Sequence, residues 1–167
     1  LVQKEDYQEI TDSAWQDAVR DALDGETGLC RTEQSGVAKK RKDNVNRIWN
    51  MRQWTTSVYS SAYDTEYQNF RNNVFQVEQP FRNGLMQSAS ANPLFQKFMG
   101  VKYVIGRSED GENFTTEVQE TAAPVIYGTN RVIAEKTYQA MKFPYNQTML
   151  MQYAVTGNEK ITDAGVE

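Results

Sequence analysis

The stretch 92–106, NPLFQKFMGVKYVIG, limits what this chain can fold into more than any other. Asn92 carries a side-chain oxygen suited to the free amides at a helix start, and Pro93 suits the first helical position. Leu94, Phe95, Phe98 and Met99 then share one helical face. Gly100 can take the left-handed conformation that ends a helix. Val101, Tyr103 and Ile105 follow at the two-residue period of a strand, and Val104 makes its centre apolar on both faces. The spacing predicts a helix over 92–99, a tight stop, and a strand over 101–107 that is central in a sheet.

The flanking patterns supply partners for that unit. Residues 1–10 are polar and read as frayed. Residues 11–23 read as a helix: Ser13 and Gln16 fit a capping box, and Ala14, Trp15, Ala18, Val19, Ala22 and Leu23 recur every three to four positions. Gly25 follows as a stop, and Trp15 reads as a core anchor. Residues 28–34 form a short strand with Arg31 and Glu33 on one face and Cys30 and Thr32 on the other. A polar, basic loop covers 35–46, and 47–61 reads as extended. A helix over 64–77 is capped by Asp64 and striped by Tyr67, Phe70, Val74 and Val77. Asp110-Gly111 is a hairpin signal, so 114–120 pairs back on 101–107. Residues 125–134 read as a strand, apolar at both ends, with Gly128 as a bulge or a close backbone approach. Residues 135–141 make a helical turn or two, Pro144 interrupts, and 146–154 continue as helix.

The pattern is α/β of mixed α+β character: a single domain with one mixed sheet and helices packed on it. Residues 1–27 are an N-terminal helical segment of that domain, 28–156 its body and 157–167 a tail. A chain of 167 residues suits one domain and buries roughly 70% of its unfolded surface, so a core forms without staples.

Composition removes several chemistries. There is no histidine, which excludes Ser-His-Asp and Cys-His nucleophiles and histidine metal sites. One cysteine, Cys30, cannot form an internal disulfide and reads as a small buried apolar residue. The net charge of −4 and the brevity of the basic run Lys39, Lys40, Arg41, Lys42 argue against nucleic acid as a partner. No phosphate loop, dinucleotide fingerprint, nucleophile elbow or EF-hand loop occurs, and no cofactor is implied. No stretch has the form of a signal peptide or runs to 18 apolar residues. The chain opens on Leu1, as a mature or excised segment would. The carboxylate pairs Glu109/Asp110 and Glu117/Glu120 fall in a turn and an edge strand. Glycoside hydrolysis would need a defined spatial separation between such groups.

Polar residues embedded in aromatic runs are the better candidates for ligand contact. They are Tyr59 and Ser60 at a strand end, Asn130 and Arg131 inside a hydrophobic segment, and Tyr145 and Asn146 beside Phe143 and Pro144. Flat aromatic faces suit the C–H surface of a sugar, and amides or guanidinium suit its hydroxyls. Asn130 and Arg131 could equally satisfy neighbouring carbonyls, and Tyr145 could pack.

Five segments, taken in order, carry a resemblance. Cys30-Arg31-Thr32-Glu33 is similar to the YR(T/I/V)E strand of bacterial YfhO-type membrane proteins. Val58-Tyr59-Ser60-Ser61 with Tyr67-Gln68-Asn69-Phe70 resembles their YSS segment. Asn92-Pro93-Leu94 with Met99-Gly100-Val101-Lys102-Tyr103-Val104-Ile105 resembles their NPL…GVKYVI segment. Residues 123–131 resemble the YGTNR segment that follows, and 143–148 the one after. The match spans roughly 29–152. It implies an extracytoplasmic domain, at the cell membrane, of a multipass protein similar to polyprenyl-phosphate-dependent sugar transferases that glycosylate envelope polymers such as teichoic acid. The implied partners are that protein's own transmembrane region and an envelope glycopolymer or lipid-linked sugar. The implied role is non-catalytic: positioning acceptor or bracing the membrane part. A free-standing extracellular glycan- or peptide-binding module is the alternative, and a two-carboxylate hydrolase a third.

Overall fold

The computed structural model describes residues 3–10, 13–35, 54–56, 64–76 and 92–158. Tyr59, Ser60, the basic run at 39–42 and most of the extended segment 47–61 lie outside the described residues. The chain begins with two helices, α1 (Lys4–Ile10) and α2 (Ser13–Leu23). The first corrects the expectation of a frayed start. Strand β1 (Arg31–Ser35) follows, then α3 (Thr65–Asn69), which runs directly into a π-helical turn, Phe70–Val74. Then come α4 (Pro93–Phe98), β2 (Val101–Arg107) and β3 (Phe114–Val118). The last described elements are β4 (Val132–Ala134), α5 (Glu135–Gln139), α6 (Tyr145–Leu150) and β5 (Ala154–Thr156).

The sheet order is β1-β2-β3, with β1 parallel and β3 antiparallel to β2, so the 101–107 strand is central in a mixed sheet as its pattern predicts. The register on β1 slips between Arg31 and Thr32. A separate parallel pair joins β4 and β5.

The 92–106 stretch folds as its residues dictate. Asn92 Oδ1 accepts from Leu94 N at 2.9 Å and Phe95 N at 3.2 Å, Pro93 opens α4, and Asn92 Nδ2 donates to Phe75 O at 2.7 Å. Gly100 sits at φ +66°, and a Cβ there would stand 2.8 Å from Ala123 O. Glycine is therefore required twice over, by conformation and by contact.

Two apolar clusters flank this unit. Trp15, Val19 and Leu23 of α2 bury against Cys30 and Ile105, with Phe114 meeting Trp15 edge-on at 5.5 Å. Phe75, Phe95 and Leu150 form the second, with Phe70, Phe98, Tyr138 and Val155 packed around them. The π turn widens the helix so that Phe75 N bonds Phe70 O, and the two rings meet at 5.1 Å.

Four readings are corrected. The 64–77 helix is α-helical only over Thr65–Asn69 and π-helical over Phe70–Val74, and Val77 lies outside the described residues. In 125–134 only Val132–Ala134 is strand; Ile126 and Tyr127 have no sheet partner and are 76% and 53% exposed. Gly128 has negative-φ backbone and open space around it, so it is neither bulge nor close approach. The 146–154 helix stops at Leu150, because Ala154 is taken into β5, donating its N–H to Arg131 O at 2.9 Å.

Candidate functional site

Strand β1 was expected to show one polar face; instead Thr32, Glu33 and Gln34 are all buried, at 1%, 1% and 3% exposure. A buried carboxylate demands partners. Glu33 Oε1 accepts from Thr56 N at 2.6 Å and also from the Thr56 hydroxyl. The Thr56 carbonyl accepts from Arg71 Nη1 and from the Tyr67 hydroxyl, both at 2.8 Å. Arg71 is itself buried, its guanidinium 5.2 Å from the Phe95 ring centroid and 5.9 Å from that of Tyr67. Burial pushes the Tyr67 hydroxyl above its usual range, although Arg71 pulls the other way. Thr32 N adds a bond to Trp54 O at 2.8 Å. The segment 54–56 is thus clamped along the outer side of β1 by groups on β1, α3 and the π turn.

The clamp presents Trp54. Trp54 is 47% exposed and, with Leu23, Glu26, Thr27, Gly28, Leu29 and Cys30, lines a hollow of about 160 Å³. Drug-sized ligands occupy pockets of roughly 300–1,000 Å³, so this hollow takes one ring-sized group. Glu26 is its charged residue. Oε1 accepts from Gly28 N at 2.8 Å, and Oε2 accepts from Tyr103 OH at 2.9 Å and pairs with Lys102 Nζ. Those bonds, Lys102 foremost, lower the Glu26 carboxyl to about 2. It is an ionised acceptor, not an acid poised to give a proton. Burial, followed by the Glu26 charge, pushes the Cys30 thiol up, so at neutral pH it is a packed thiol and not a nucleophile.

The residues singled out from the sequence lie elsewhere. Asn130 and Arg131 are exposed; Arg131 stacks on Tyr153 at 5.2 Å and its N–H bonds the Thr129 hydroxyl. Tyr145 is 73% exposed, and Asn146 turns its Oδ1 back to Gln147 N. Among the described residues no hydrogen bond or ring contact joins Asn130 or Arg131 to Tyr145 or Asn146. The carboxylate pairs serve local turns and contacts: Asp110 accepts from Ser108 and Glu112 N, and Glu117 accepts from Gln119. Sequence reasoning missed Trp54 and Glu26. They are brought together from positions 26 and 54, with Lys102 fixing Glu26 from a third, and only the aromatic richness around Trp54 was a local signal.

Among the described residues no group of three or more His, Cys, Asp or Glu could hold a metal, and no helix is long and apolar enough to cross a membrane. No protein-family model, curated protein or solved structure matches this chain.

Proposed function

We propose that this chain is a non-catalytic extracytoplasmic module of a membrane protein resembling sugar transferases, and that it positions a glycan acceptor by holding one sugar ring in the Trp54 hollow. One observation carries the reading: an exposed indole beside an ionised carboxylate fixed by three donors. The indole offers an apolar face and Glu26 accepts from hydroxyls. Lys102 already neutralises Glu26, which favours a neutral hydroxylated ring over a cation. The resemblance supports the membrane-module part of the reading: Cys30, Lys102 and Tyr103 lie in its segments, whereas Trp54 and Glu26 lie outside them.

The test is a titration of the ¹⁵N-labelled protein with teichoic-acid fragments. The reading expects shifts at the Trp54 indole and the Gly28 amide, lost in Trp54→Ala. Shifts confined to Asn130, Arg131, Tyr145 and Asn146 would move the site, and silence throughout at millimolar ligand would overturn it. The membrane assignment is tested separately by the complete gene product, where an absence of membrane spans would sink it.

A further inference from the structure

The two edges of the three-stranded sheet are unequal. The β1 edge is covered by the bond from Thr32 N to Trp54 O. Among the described residues the β3 edge is open. Gln119 N bonds Lys102 O and Ser108 N bonds Asn113 O, in the register that pairs Tyr103 with Val118 and Arg107 with Phe114. Backbone groups alternate sides along a strand, so the odd residues of β3 face β2. The N–H and C=O groups of Phe114, Thr116 and Val118 therefore point outward, and no hydrogen bond to them is present among the described residues. Natural edges are protected by short length, charged side chains, proline or a bulge. β3 reads FTTEV: it has no lysine, proline or bulge, Glu117 is its one charged residue, and its Val118 is 46% exposed.

We propose that the β3 edge pairs antiparallel with the same edge of a second copy of this chain. The register centred on Thr116 uses every outward group. Thr116 exchanges both bonds with the partner's Thr116, Phe114 does so with the partner's Val118, and Val118 with the partner's Phe114. The side chains agree with that register. Phe114 opposite Val118 is a favourable aromatic–β-branched pair, and within β3 Glu117 falls opposite Thr115, so no like charges stand directly opposite, the two Glu117 being diagonal neighbours. The pairing is isologous and closes as a two-fold dimer. It extends each three-stranded sheet into one of six strands, with both α2 helices on the same face.

Sedimentation equilibrium tests this, with the expectation of a mass rising with concentration toward twice 19.1 kDa. Thr116→Pro removes an outward N–H without touching the ladder to β2, and Thr116→Lys sets two like charges together at the axis with the backbone intact. Both should sediment as folded monomers, with unchanged circular dichroism. The Phe114, Thr116 and Val118 amides should gain exchange protection in the wild type as concentration rises. A monomer throughout, or a dimer that survives both substitutions with those amides unprotected, would overturn the proposal.

Discussion

Replacing Thr56 by valine tests the clamp with little change of shape. The hydroxyl that donates to Glu33 is lost, while the backbone N–H at 2.6 Å from the same oxygen remains. Hydrogen bonds to charged groups contribute about 1.5–3 kcal/mol. The added methyl returns up to about 0.8 kcal/mol of apolar burial. The net loss should be about 1–2 kcal/mol, and in a chain of this size each kcal/mol lowers Tm by about 2–4 °C. Urea unfolding at pH 7 measures the first quantity and calorimetry the second. Pairing the change with Glu33→Gln in a double-mutant cycle isolates the interaction, and a coupling of at least about 0.5 kcal/mol is expected. Additive single effects would mean that the hydroxyl and the carboxylate do not act on each other, and the account of how Trp54 is held would fail.

Gly100→Ala should destabilise by about 2 kcal/mol or more, because the left-handed backbone costs about 1–2 kcal/mol and the new Cβ would press on Ala123 O; chemical denaturation checks it. Asn92→Ala removes a cap and the bond to Phe75 O, for a loss of about 1–2 kcal/mol read the same way. Glu26 has its folded value lowered from 4.5 to about 2, so its contribution is fully present above pH 4.5 and is lost as pH falls toward 2. Lys102 is 37% exposed, so solvent screening holds the pair to under about 1 kcal/mol. Lys102→Met should move the Glu26 carboxyl back toward 4.5 in an NMR titration.

What could be read from the sequence was local. The capping by Asn92, the helix start at Pro93 and the left-handed stop at Gly100 each act within a few residues, so the helix, its stop and the following strand were legible, as was the hairpin turned at Gly111. Glu33 was misread because alternation alone assigns a charged residue to solvent. Its partner Thr56 lies 23 residues away, and no local pattern announces it. Ile126 and Tyr127 failed in the opposite sense: their strand propensity was plain, but no neighbouring strand met them. The hollow escaped for both reasons, since Glu26 sits after a helix stop and reaches Lys102 across 76 positions.

The parallel register of β1 on β2 bears on how the chain folds. It joins Arg31 to Val101, while the β2–β3 hairpin joins Arg107 to Phe114. The hairpin closes a short loop on a timescale of about 1–10 μs, whereas the parallel pair must wait for a long excursion of chain to return. During that wait β2 is paired on its β3 side and open on the other, and the late arrival of β1 completes both the sheet and the clamp. The slow step of folding is therefore also the step that assembles the Trp54 hollow, and in a stopped-flow experiment recovery of the hollow should track the last refolding phase.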